Sequence, residues 1–441
     1  MMKNRILFFL ISSQYVFAGL AYVTGYEGGV NSAIFVVNTE TNAVIGTIPA
    51  PTGFTYGYFS SIAISPNGRV AYAAEQSGGQ VYVIDVARNI ATGLLANSTS
   101  TPFVFNPDIA FNPNGTGAYL VDEGNGSGGE VFVIDTTTNT ATGIVAGLPS
   151  TTSPSSIAFN PSGTFAYVTT HSPDQNVYVI DTKTNTSIGA VNRLTGVAAF
   201  SSPEWIAVSP NGKLAYVTDS GTPGIFVIDT SINVVVGLVT YAAGVTPVTA
   251  PYGVSFSPDG TVAYATDSNT PGVYVIDTAT NIATGLVQVV VGLTPITAPT
   301  LVAFNLDGTT AYATADDAMG VYVIDTQSNI AISGIAPSSI FYGSGVAFAP
   351  TTLPPNQLTG IQKKNNFGLE YELCNILRWA PSLSFVENYY VYRNGTLVAT
   401  LDGSTLQYQD HNVPKDATIS YSVSAFNSVG EESSSVDISI Q

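Results

Sequence analysis

The chain has 441 residues and a formal net charge of −18 at pH 7, with 12 lysines and arginines against 30 aspartates and glutamates. So few cations cannot neutralise many phosphates, which excludes nucleic acid as a ligand, and anionic membrane surfaces would repel the chain. Cationic partners and Ca²⁺ stay open, although the acidity could also serve only to keep an apolar-rich chain soluble.

The first residues predict a secretory signal peptide over residues 1–18. Lys3 and Arg5 precede the apolar stretch 6–11, and Val16, Phe17 and Ala18 offer a cleavage point before Gly19. The alternative is an N-terminal strand. We therefore expect an extracytoplasmic protein, which is periplasmic, secreted or on the cell surface. No other run reaches the roughly 18 apolar residues that a membrane span requires.

A repeated phrase organises the chain from residue 19 to residue 350. Six copies of Val-Tyr-Val-Ile-Asp or a close variant follow one another at spacings of 50, 46, 48, 48 and 48 residues, and a degenerate seventh copy at residues 34–38 precedes them. The six copies end at Asp85, Asp135, Asp181, Asp229, Asp277 and Asp325. Self-similarity at this period indicates a repeat fold, most often a β-propeller.

Each repeat predicts four strands. In the second copy a short apolar strand at residues 62–65 leads through Ser65-Pro66-Asn67-Gly68, a turn sequence, into a strand at residues 70–74. The β-branched and aromatic run 81–84 predicts a buried third strand, and residues 90–95 a fourth. Six such units have the pattern of propeller blades.

The ends of the repeat region predict how the ring closes. The first copy supplies only three strands, at residues 20–24, 34–38 and 44–48, and an orphan first strand at residues 345–348 follows the last copy. If that orphan pairs beside residues 21–24, no sheet edge is left exposed at the junction. The sequence therefore predicts an all-β chain with a seven-bladed β-propeller over residues 19–350, closed by a strand from the C-terminal side.

The phrases Ala166-Tyr-Val-Thr169 and Ala215-Tyr-Val-Thr218, each followed by the Val-Ile-Asp phrase and then by Asn185 or Asn233, resemble the YVTN β-propeller repeat family. The resemblance covers residues 20–350 and implies a seven-bladed, usually extracytoplasmic propeller. It implies no single activity, because propellers serve as binding modules, lactonases and haem or quinone enzymes alike.

Residues 351–357 are predicted as a proline-bearing linker, and residues 358–441 as a second domain without repeats. Asn394-Gly395 lies between two strand-like runs and predicts a hairpin. With the strand tryptophan Trp379 and the late tyrosine Tyr421, this segment resembles a fibronectin type III β-sandwich. That resemblance implies an adhesive, spacing or partner-binding module. The sole cysteine, Cys374, precludes an intramolecular disulfide and is predicted to be a small buried apolar residue.

Acidic residues fall into two sets. The six aspartates that end Val-Ile-Asp are predicted to accept backbone N–H bonds in their own turns. The second set follows the second strand of its repeat, with Glu123 and Asp316 one step further along; its members are Glu75, Asp122, Asp219 and Asp267. We predict that this set faces a ligand on the face formed by the second-to-third strand loops and the connections between blades. A hard cation is one alternative, and plain solvated turns are another.

Aromatic residues and histidines complete the candidates. Trp205 and Tyr252 lie in the connections before the fifth and sixth blades and are predicted to contact a ligand. His171 and His411 fall in different domains, so haem, copper and zinc sites are not supported, and His171 is predicted to be a surface loop residue.

Taken together, the sequence predicts a monomeric, non-catalytic binding or adhesion scaffold without a cofactor, although Ca²⁺ remains open. Its partner would be a protein or a carbohydrate. Two alternatives stay open: a metal-dependent hydrolase of the propeller lactonase kind, with Glu75, Asp122, Asp219 and Asp267 as its candidates, and a purely structural surface-layer component.

Overall fold

The structure is a computed structural model. It describes residues 19–440 except 28–30, 77, 87, 106–107, 125–127, 270–271, 317–319, 336–340, 350–355, 368–369, 381–385, 416, 427–432 and 434. The predicted signal peptide and most of the predicted linker lie outside the described residues. Every regular element in the described part of the chain is a β-strand, and no helix there is long and apolar enough to cross a membrane.

The repeat region contributes 32 of these strands. The first sixteen are β1 (Leu20–Glu27), β2 (Asn31–Asn38), β3 (Ala43–Ile48), β4 (Phe59–Ile64), β5 (Val70–Glu75), β6 (Val81–Asp85), β7 (Ile90–Leu94), β8 (Ala96–Asn97), β9 (Asp108–Phe111), β10 (Gly117–Asp122), β11 (Glu130–Asp135), β12 (Thr140–Ile144), β13 (Ser153–Phe159), β14 (Phe165–His171), β15 (Val177–Asp181) and β16 (Thr186–Ala190). The others are β17 (Asn192–Arg193), β18 (Pro203–Val208), β19 (Leu214–Asp219), β20 (Gly224–Asp229), β21 (Val234–Leu238), β22 (Thr240–Tyr241), β23 (Pro251–Phe256), β24 (Val262–Asp267), β25 (Gly272–Asp277), β26 (Ile282–Leu286), β27 (Gln288–Val289), β28 (Pro299–Phe304), β29 (Thr310–Ala315), β30 (Val321–Asp325), β31 (Ile330–Ile335) and β32 (Phe341–Phe348).

Within the described residues these strands form seven sheets. Sheet 1 has the order β3-β2-β1-β32, sheet 2 runs from β4 to β7, and sheet 4 from β13 to β16. Sheets 3, 5, 6 and 7 each combine four successive antiparallel strands, starting at β9, β18, β23 and β28, with a two-residue strand that pairs in parallel with the fourth strand. The four-strand repeat predicted from the sequence therefore matches the sheets.

The first strands of the seven sheets lie side by side in a closed ring. In order they are β32, β4, β9, β13, β18, β23 and β28, with β28 again beside β32. We call this the inner ring. At one of its ends the first strands begin and the second strands finish, because the two are antiparallel. We call that end the mouth. The turns between first and second strands lie at the opposite end, where Gly68 N donates to Ser65 O at 2.8 Å as the Pro-Asn-Gly sequence predicts.

Tyrosine and asparagine connect neighbouring sheets. The tyrosine of each second strand is buried and donates its hydroxyl to the side-chain oxygen of an asparagine in the next sheet, and each asparagine has a φ between 50° and 55°. The pairs are Tyr22–Asn89, Tyr72–Asn139, Tyr119–Asn185, Tyr167–Asn233, Tyr216–Asn281, Tyr264–Asn329 and Tyr312–Asn42. Asparagine tolerates this left-handed conformation better than most residues. One residue thus forms the turn and accepts the bond.

Threonines in four of the second strands bond to backbone groups at the β-bulges of the neighbouring first strands. In sheet 5, for example, the pairing of β18 with β19 shifts between Pro203 and Ile206, and Thr218 Oγ1 accepts the Trp205 N–H at 3.1 Å. The same hydroxyl is 2.5 Å from the carbonyl oxygen of Tyr252 in sheet 6. Thr169, Thr266 and Thr314 accept the corresponding N–H in their sheets. These threonines therefore satisfy backbone groups that the bulges release.

The aspartates that end the Val-Ile-Asp phrases have the predicted structural role. Each accepts the backbone N–H of the residue two or three positions further on, as Asp229 does from Ser231 at 2.9 Å. The corresponding bonds are those of Asp85, Asp135, Asp181, Asp277 and Asp325.

The two ends of the repeat region meet. Strand β32 pairs antiparallel with β1, with Ala21 opposite Phe348 and Val23 opposite Val346. Just beyond the paired residues, Ala349 N donates to Leu20 O at 2.8 Å.

Seven further strands form two packed sheets: β33 (Asn356–Phe367), β34 (Glu370–Ala380), β35 (Asn388–Arg393), β36 (Thr396–Asp402), β37 (Gln407–Asp410), β38 (Ile419–Phe426) and β39 (Val436–Ile440). Their orders are β33-β34-β37 and β36-β35-β38-β39. Since β33 begins at Asn356, the last two residues of the predicted linker already belong to a strand. Trp379 is buried against Tyr389, and the hairpin predicted at Asn394-Gly395 joins β35 to β36. Cys374 is buried, as predicted.

Candidate functional site

The four carboxylates predicted to face a ligand lie at the mouth, but their side chains are turned into the protein. Relative exposures are 2% for Glu75, 3% for Asp122 and 0% for both Asp219 and Asp267. Asp219 accepts four backbone N–H bonds, from Ser201, Ser202, Gly221 and Thr222, at 2.7–3.0 Å.

The other three members of the set accept backbone N–H bonds from the connection that enters their own sheet, and Asp122 and Asp267 also accept one from the loop after their own strand. Asp122 accepts from Val104, Phe105 and Gly124, Asp267 from Thr249, Ala250 and Asn269, and Glu75 from Gly57. Burial raises the pKa of Glu75 and of Asp122, although these N–H donors oppose the shift. The carboxylates therefore hold the connections in place, and a binding role for them stays a prediction.

Trp205 and Tyr252 come together at the mouth. Trp205 is half-buried in β18, Tyr252 is 40% exposed at the start of β23, and their ring centroids are 6.2 Å apart. Burial raises the pKa of the Tyr252 hydroxyl to about 12, and the charges of Glu204, Asp108 and Glu123 add to the rise. The two rings thus form one aromatic surface beside carboxylates.

His171 is the centre of a charged cluster that spans three sheets. Its Nδ1 lies 2.9 Å from Glu123 Oε1, and its Nε2 lies 3.2 Å from Glu204 Oε2. Glu123 directly follows β10 of sheet 3, His171 ends β14 of sheet 4, and Glu204 is the second residue of β18 in sheet 5. We call these three residues the mouth triad.

The ionisation of the mouth triad follows from its contacts. Burial lowers the pKa of His171, but hydrogen bonds to the two glutamates and their charges outweigh it and raise the pKa to about 9. Burial raises the pKa of Glu204, whereas His171, Ser220 and Ser202 lower it, and the net shift is downward. At neutral pH the histidine is therefore an imidazolium, with both ring N–H groups donated to carboxylates.

Glu204 is held from a second side. Its Oε1 accepts bonds from the hydroxyls of Ser220 at 2.5 Å and Ser202 at 3.2 Å. Exposure of the triad side chains is 27% for His171 and Glu123 and 17% for Glu204, so solvent reaches all three. The triad is thus a fixed acid-base cluster that is partly open to solvent.

Asp108 is a further carboxylate at the mouth, and it is fully buried. It accepts bonds from Ser61 Oγ in β4, from Ser156 Oγ and the Ile157 N–H in β13, and from the Ile109 N–H. Burial raises its pKa to about 6 against the effect of these donors. Asp108 thus joins the first strands of sheets 2, 3 and 4. In sheets 2 and 3 the position of the bulge threonine is taken by Ala74 and Val121.

The sequence interpretation missed the mouth triad. The sequence marks Glu123 only as a neighbour of Asp122 and does not mark Glu204, and His171, predicted to be a surface loop residue, is instead the last residue of β14 with its side chain 27% exposed. These residues come from three repeats and are brought together only by the ring. The available signal was a departure from the repeat next to His171, since Thr170 stands where other repeats have Glu75, Asp122, Asp219 or Asp267. Among the described residues, no three His, Cys, Asp or Glu side chains are arranged to hold a metal ion.

No family model matches the sequence, and no curated protein matches it. Solved structures do. A periplasmic gluconolactonase of Pseudomonas aeruginosa is similar with a TM-score of 0.57 and 14% identity, over 75% of this chain and 99% of that chain. A Bacteroides uniformis protein assigned provisionally as a 6-phosphogluconolactonase has a TM-score of 0.57 and 17% identity over the same shares.

A third similar structure is the β-propeller domain of Cps50 (Swd1) from Myceliophteria thermophila. Its TM-score is 0.50 at 14% identity, and the match covers 70% of this chain and 98% of that chain. At such identities the similarity concerns the fold alone. The comparisons show that the chain has a β-propeller fold over about three quarters of its length.

Proposed function

We propose that the seven sheets are the blades of a seven-bladed propeller of the YVTN kind, closed by β32, and that the two C-terminal sheets are a fibronectin type III-like sandwich. The pairing of β32 with β1 and the closed inner ring support the first part. The strand orders and the buried Trp379 support the second. Loops at one end of a propeller commonly hold its ligand, and we assign that role to the mouth.

We propose that the mouth binds a hydroxyl-rich small molecule and hydrolyses a lactone. The observation that carries this proposal is the position of the His171 ring, whose Nδ1 lies 2.9 Å from Glu123 and whose Nε2 lies 3.2 Å from Glu204, at the solvent-accessible mouth. A cluster of ionisable groups with shifted pKa values in a concave site is the usual environment of acid-base chemistry.

Each member of the mouth triad would have a distinct task. Glu123 would accept a proton from the attacking water, whose oxygen bonds to the lactone carbonyl carbon. Once Glu123 holds that proton, the Nδ1–H of the His171 imidazolium would be released to donate to the carbonyl oxygen and stabilise the negative charge that develops there. When the ring C–O bond breaks, the proton on Glu123 would pass to the departing oxygen. Glu204, fixed by Ser202 and Ser220, would orient His171 and keep it charged.

The similar structures favour hydrolysis over the non-catalytic scaffold that the sequence first indicated. Two of the three are described as lactonases, and the match covers 99% of each of those chains. Because a fold alone does not imply an activity, the proposed hydrolysis depends on the mouth triad and not on the similarity in fold. The triad also replaces Glu75, Asp122, Asp219 and Asp267 as the candidate group of this alternative.

Binding without turnover is the second candidate function. The observation that favours it is the exposed ring of Tyr252 beside Trp205, since a flat aromatic surface next to carboxylates suits the apolar face and the hydroxyls of a sugar. If the mouth binds a sugar without turnover, the chain would be an exported sugar-binding or adhesion protein.

Hydrolysis can be measured as acid release from glucono-1,5-lactone, after subtraction of the spontaneous rate. We expect Glu123→Gln and His171→Gln to lower kcat by about 100-fold or more, as the loss of a general acid or base commonly does. The matched controls are Glu40→Gln, in a turn at the opposite end of sheet 1, and His411→Gln in the C-terminal sheets. Both controls should leave the rate unchanged.

A wild-type rate equal to the spontaneous rate would refute the enzymatic proposal. Calorimetric titration with glucose would then test the second candidate. Glucose binding that is lost in Tyr252→Ala and in Trp205→Ala would support the binding function. If the wild-type protein does not bind glucose, this second candidate is refuted as well.

A further inference from the structure

The positive charges of the propeller are concentrated away from the mouth. Arg69 and Lys213 lie in turns between first and second strands, and Arg88 and Lys183 lie in turns between third and fourth strands. Arg193, in β17, lies on the outer edge of sheet 5. Strands of six residues separate the turns from the mouth by roughly 20 Å. Among the described propeller residues, His171 is therefore the only cationic side chain at the mouth.

The charge of His171 is already matched at the mouth. Its two ring N–H groups are donated to Glu123 and Glu204, so the mouth triad carries a net charge of −1 when all three are ionised. Asp174 lies in the turn just after β14, with Oδ2 3.4 Å from Thr170 Oγ1, and adds another carboxylate to the same end. Among the described residues of the propeller, a ligand at the mouth thus meets carboxylates on several sides and no lysine or arginine.

We propose that the mouth accepts an uncharged sugar-like ligand and rejects its phosphorylated counterpart. This inference rests on the proposed site and narrows its substrate class. Enzymes and binding proteins that take phosphates place arginine, lysine, a helix N-terminus or a backbone nest against them, since the dianion must be neutralised. Here the charged side chains close to the aromatic surface would repel a phosphate and would accept hydroxyl hydrogen bonds.

The same charges would assist product release. Hydrolysis of a neutral lactone creates a carboxylate, so the substrate enters without charge and the product leaves as an anion. Repulsion between that anion and the carboxylates of the mouth weakens product binding relative to substrate binding. A phosphorylated lactone would be repelled before the reaction as well as after it.

The test compares glucono-1,5-lactone with its 6-phosphate as substrates, and glucose with glucose 6-phosphate as ligands. We expect kcat/KM and affinity to favour the uncharged member by about tenfold or more at low salt. The preference should shrink as NaCl rises from 20 to 500 mM, because salt screens exposed charges.

Asp174→Asn offers a matched charge test. It removes one carboxylate near the mouth, and it should lower the preference for the uncharged member several-fold. Asp181→Asn makes the same change in the same sheet at the opposite end, and it should leave the preference unchanged. Asparagine fits that turn, because Asn38 accepts the N–H groups of Glu40 and Thr41 at the equivalent position of sheet 1.

The outcomes separate the two proposals. Faster hydrolysis or tighter binding of the phosphorylated member would refute the proposal that the mouth rejects phosphorylated ligands. It would not contradict the proposed lactonase activity. Hydrolysis of neither lactone, with glucose still bound more tightly than glucose 6-phosphate, would refute the lactonase and support the charge selection. Binding of neither sugar and turnover of neither lactone would overturn both.

Discussion

At the scale of single residues, carboxylates at the two ends of the sheets differ in burial. Asp219 is enclosed and accepts four backbone N–H bonds, whereas Asp85 lies in an exposed turn and accepts the Arg88 N–H and guanidinium. An enclosed carboxylate that satisfies several donors is difficult to remove, because every donor is then left buried without a partner. A carboxylate in a turn at the surface can be replaced by water.

We therefore predict that Asp219→Ala lowers the free energy of unfolding by about 3 kcal/mol or more. The matched change Asp85→Ala should cost about 1 kcal/mol or less. Urea denaturation of both variants measures the difference. Ca²⁺ should leave the thermal midpoint of the wild-type protein unchanged, because the oxygens of Asp219 are occupied by N–H donors. A rise in midpoint that Asp219→Asn abolishes would contradict this structural role.

His171 predicts a pH dependence. Its pKa is raised from 6.5 to about 9 on folding, so its stabilising contribution is complete below pH 6.5 and is lost as the pH rises through 9. The thermal midpoint and the lactone rate should both fall between pH 8 and pH 10. His171→Gln should remove this part of the stability profile, while His411→Gln should retain it. An unchanged profile in His171→Gln would show that other groups cause the loss.

At the scale of strands and sheets, the sequence predicted most of what local patterns determine. The Val-Tyr-Val-Ile runs became buried third strands, and the Pro-Asn-Gly turns became tight hairpins, since both depend on neighbours in sequence. The mouth triad could not be predicted in this way, because Glu123, His171 and Glu204 meet only through the packing of sheets 3, 4 and 5. Glu75 and its equivalents looked exposed because strand ends usually are, and only the fold shows the connections that cover them.

Strand β32 gives a prediction at this scale. Val346 is buried opposite Val23 and packs in a cluster with Tyr312 of sheet 7. Val346→Asp would bury a charge between sheets 1 and 7 and should cost about 3 kcal/mol or more. Val291→Asp is the matched control, because Val291 is fully exposed, and it should change the free energy of unfolding by less than about 0.5 kcal/mol. Equal effects of the two changes in urea denaturation would show that β32 does not close the ring.

At the scale of the whole molecule, the tyrosine-asparagine pairs join each sheet to the next around the complete ring. The bond from Tyr312 in sheet 7 to Asn42 in sheet 1, at 2.5 Å, joins the same two positions of the repeat as the other six bonds. The junction between the first and last sheets is therefore built like every other junction. Sheets 1 and 7 should be as resistant to opening as sheet 4.

Hydrogen exchange read by mass spectrometry tests this expectation. In the wild-type protein, the second strands β1, β14 and β29 should be protected to a similar degree. Tyr312→Phe should raise exchange in sheets 1 and 7 first, and Tyr167→Phe should do the same in sheets 4 and 5, each at a cost of about 1 kcal/mol. Early exchange of sheets 1 and 7 in the wild-type protein would mean that the junction is weaker than the other six.

The bond from Ala349 to Leu20 also identifies the end of the ring at which the first and last strands of the repeat region meet. Strand β1 starts, and β32 finishes, at the end of the ring that lies away from the mouth, so Leu20 and Ala349 both lie at that end. Arg69 pairs with Glu387 of the C-terminal sheets on the same side, at 3.5 Å. A tether attached through the C-terminal sheets would consequently hold the propeller from the end opposite the mouth and leave the mouth directed away from the point of attachment.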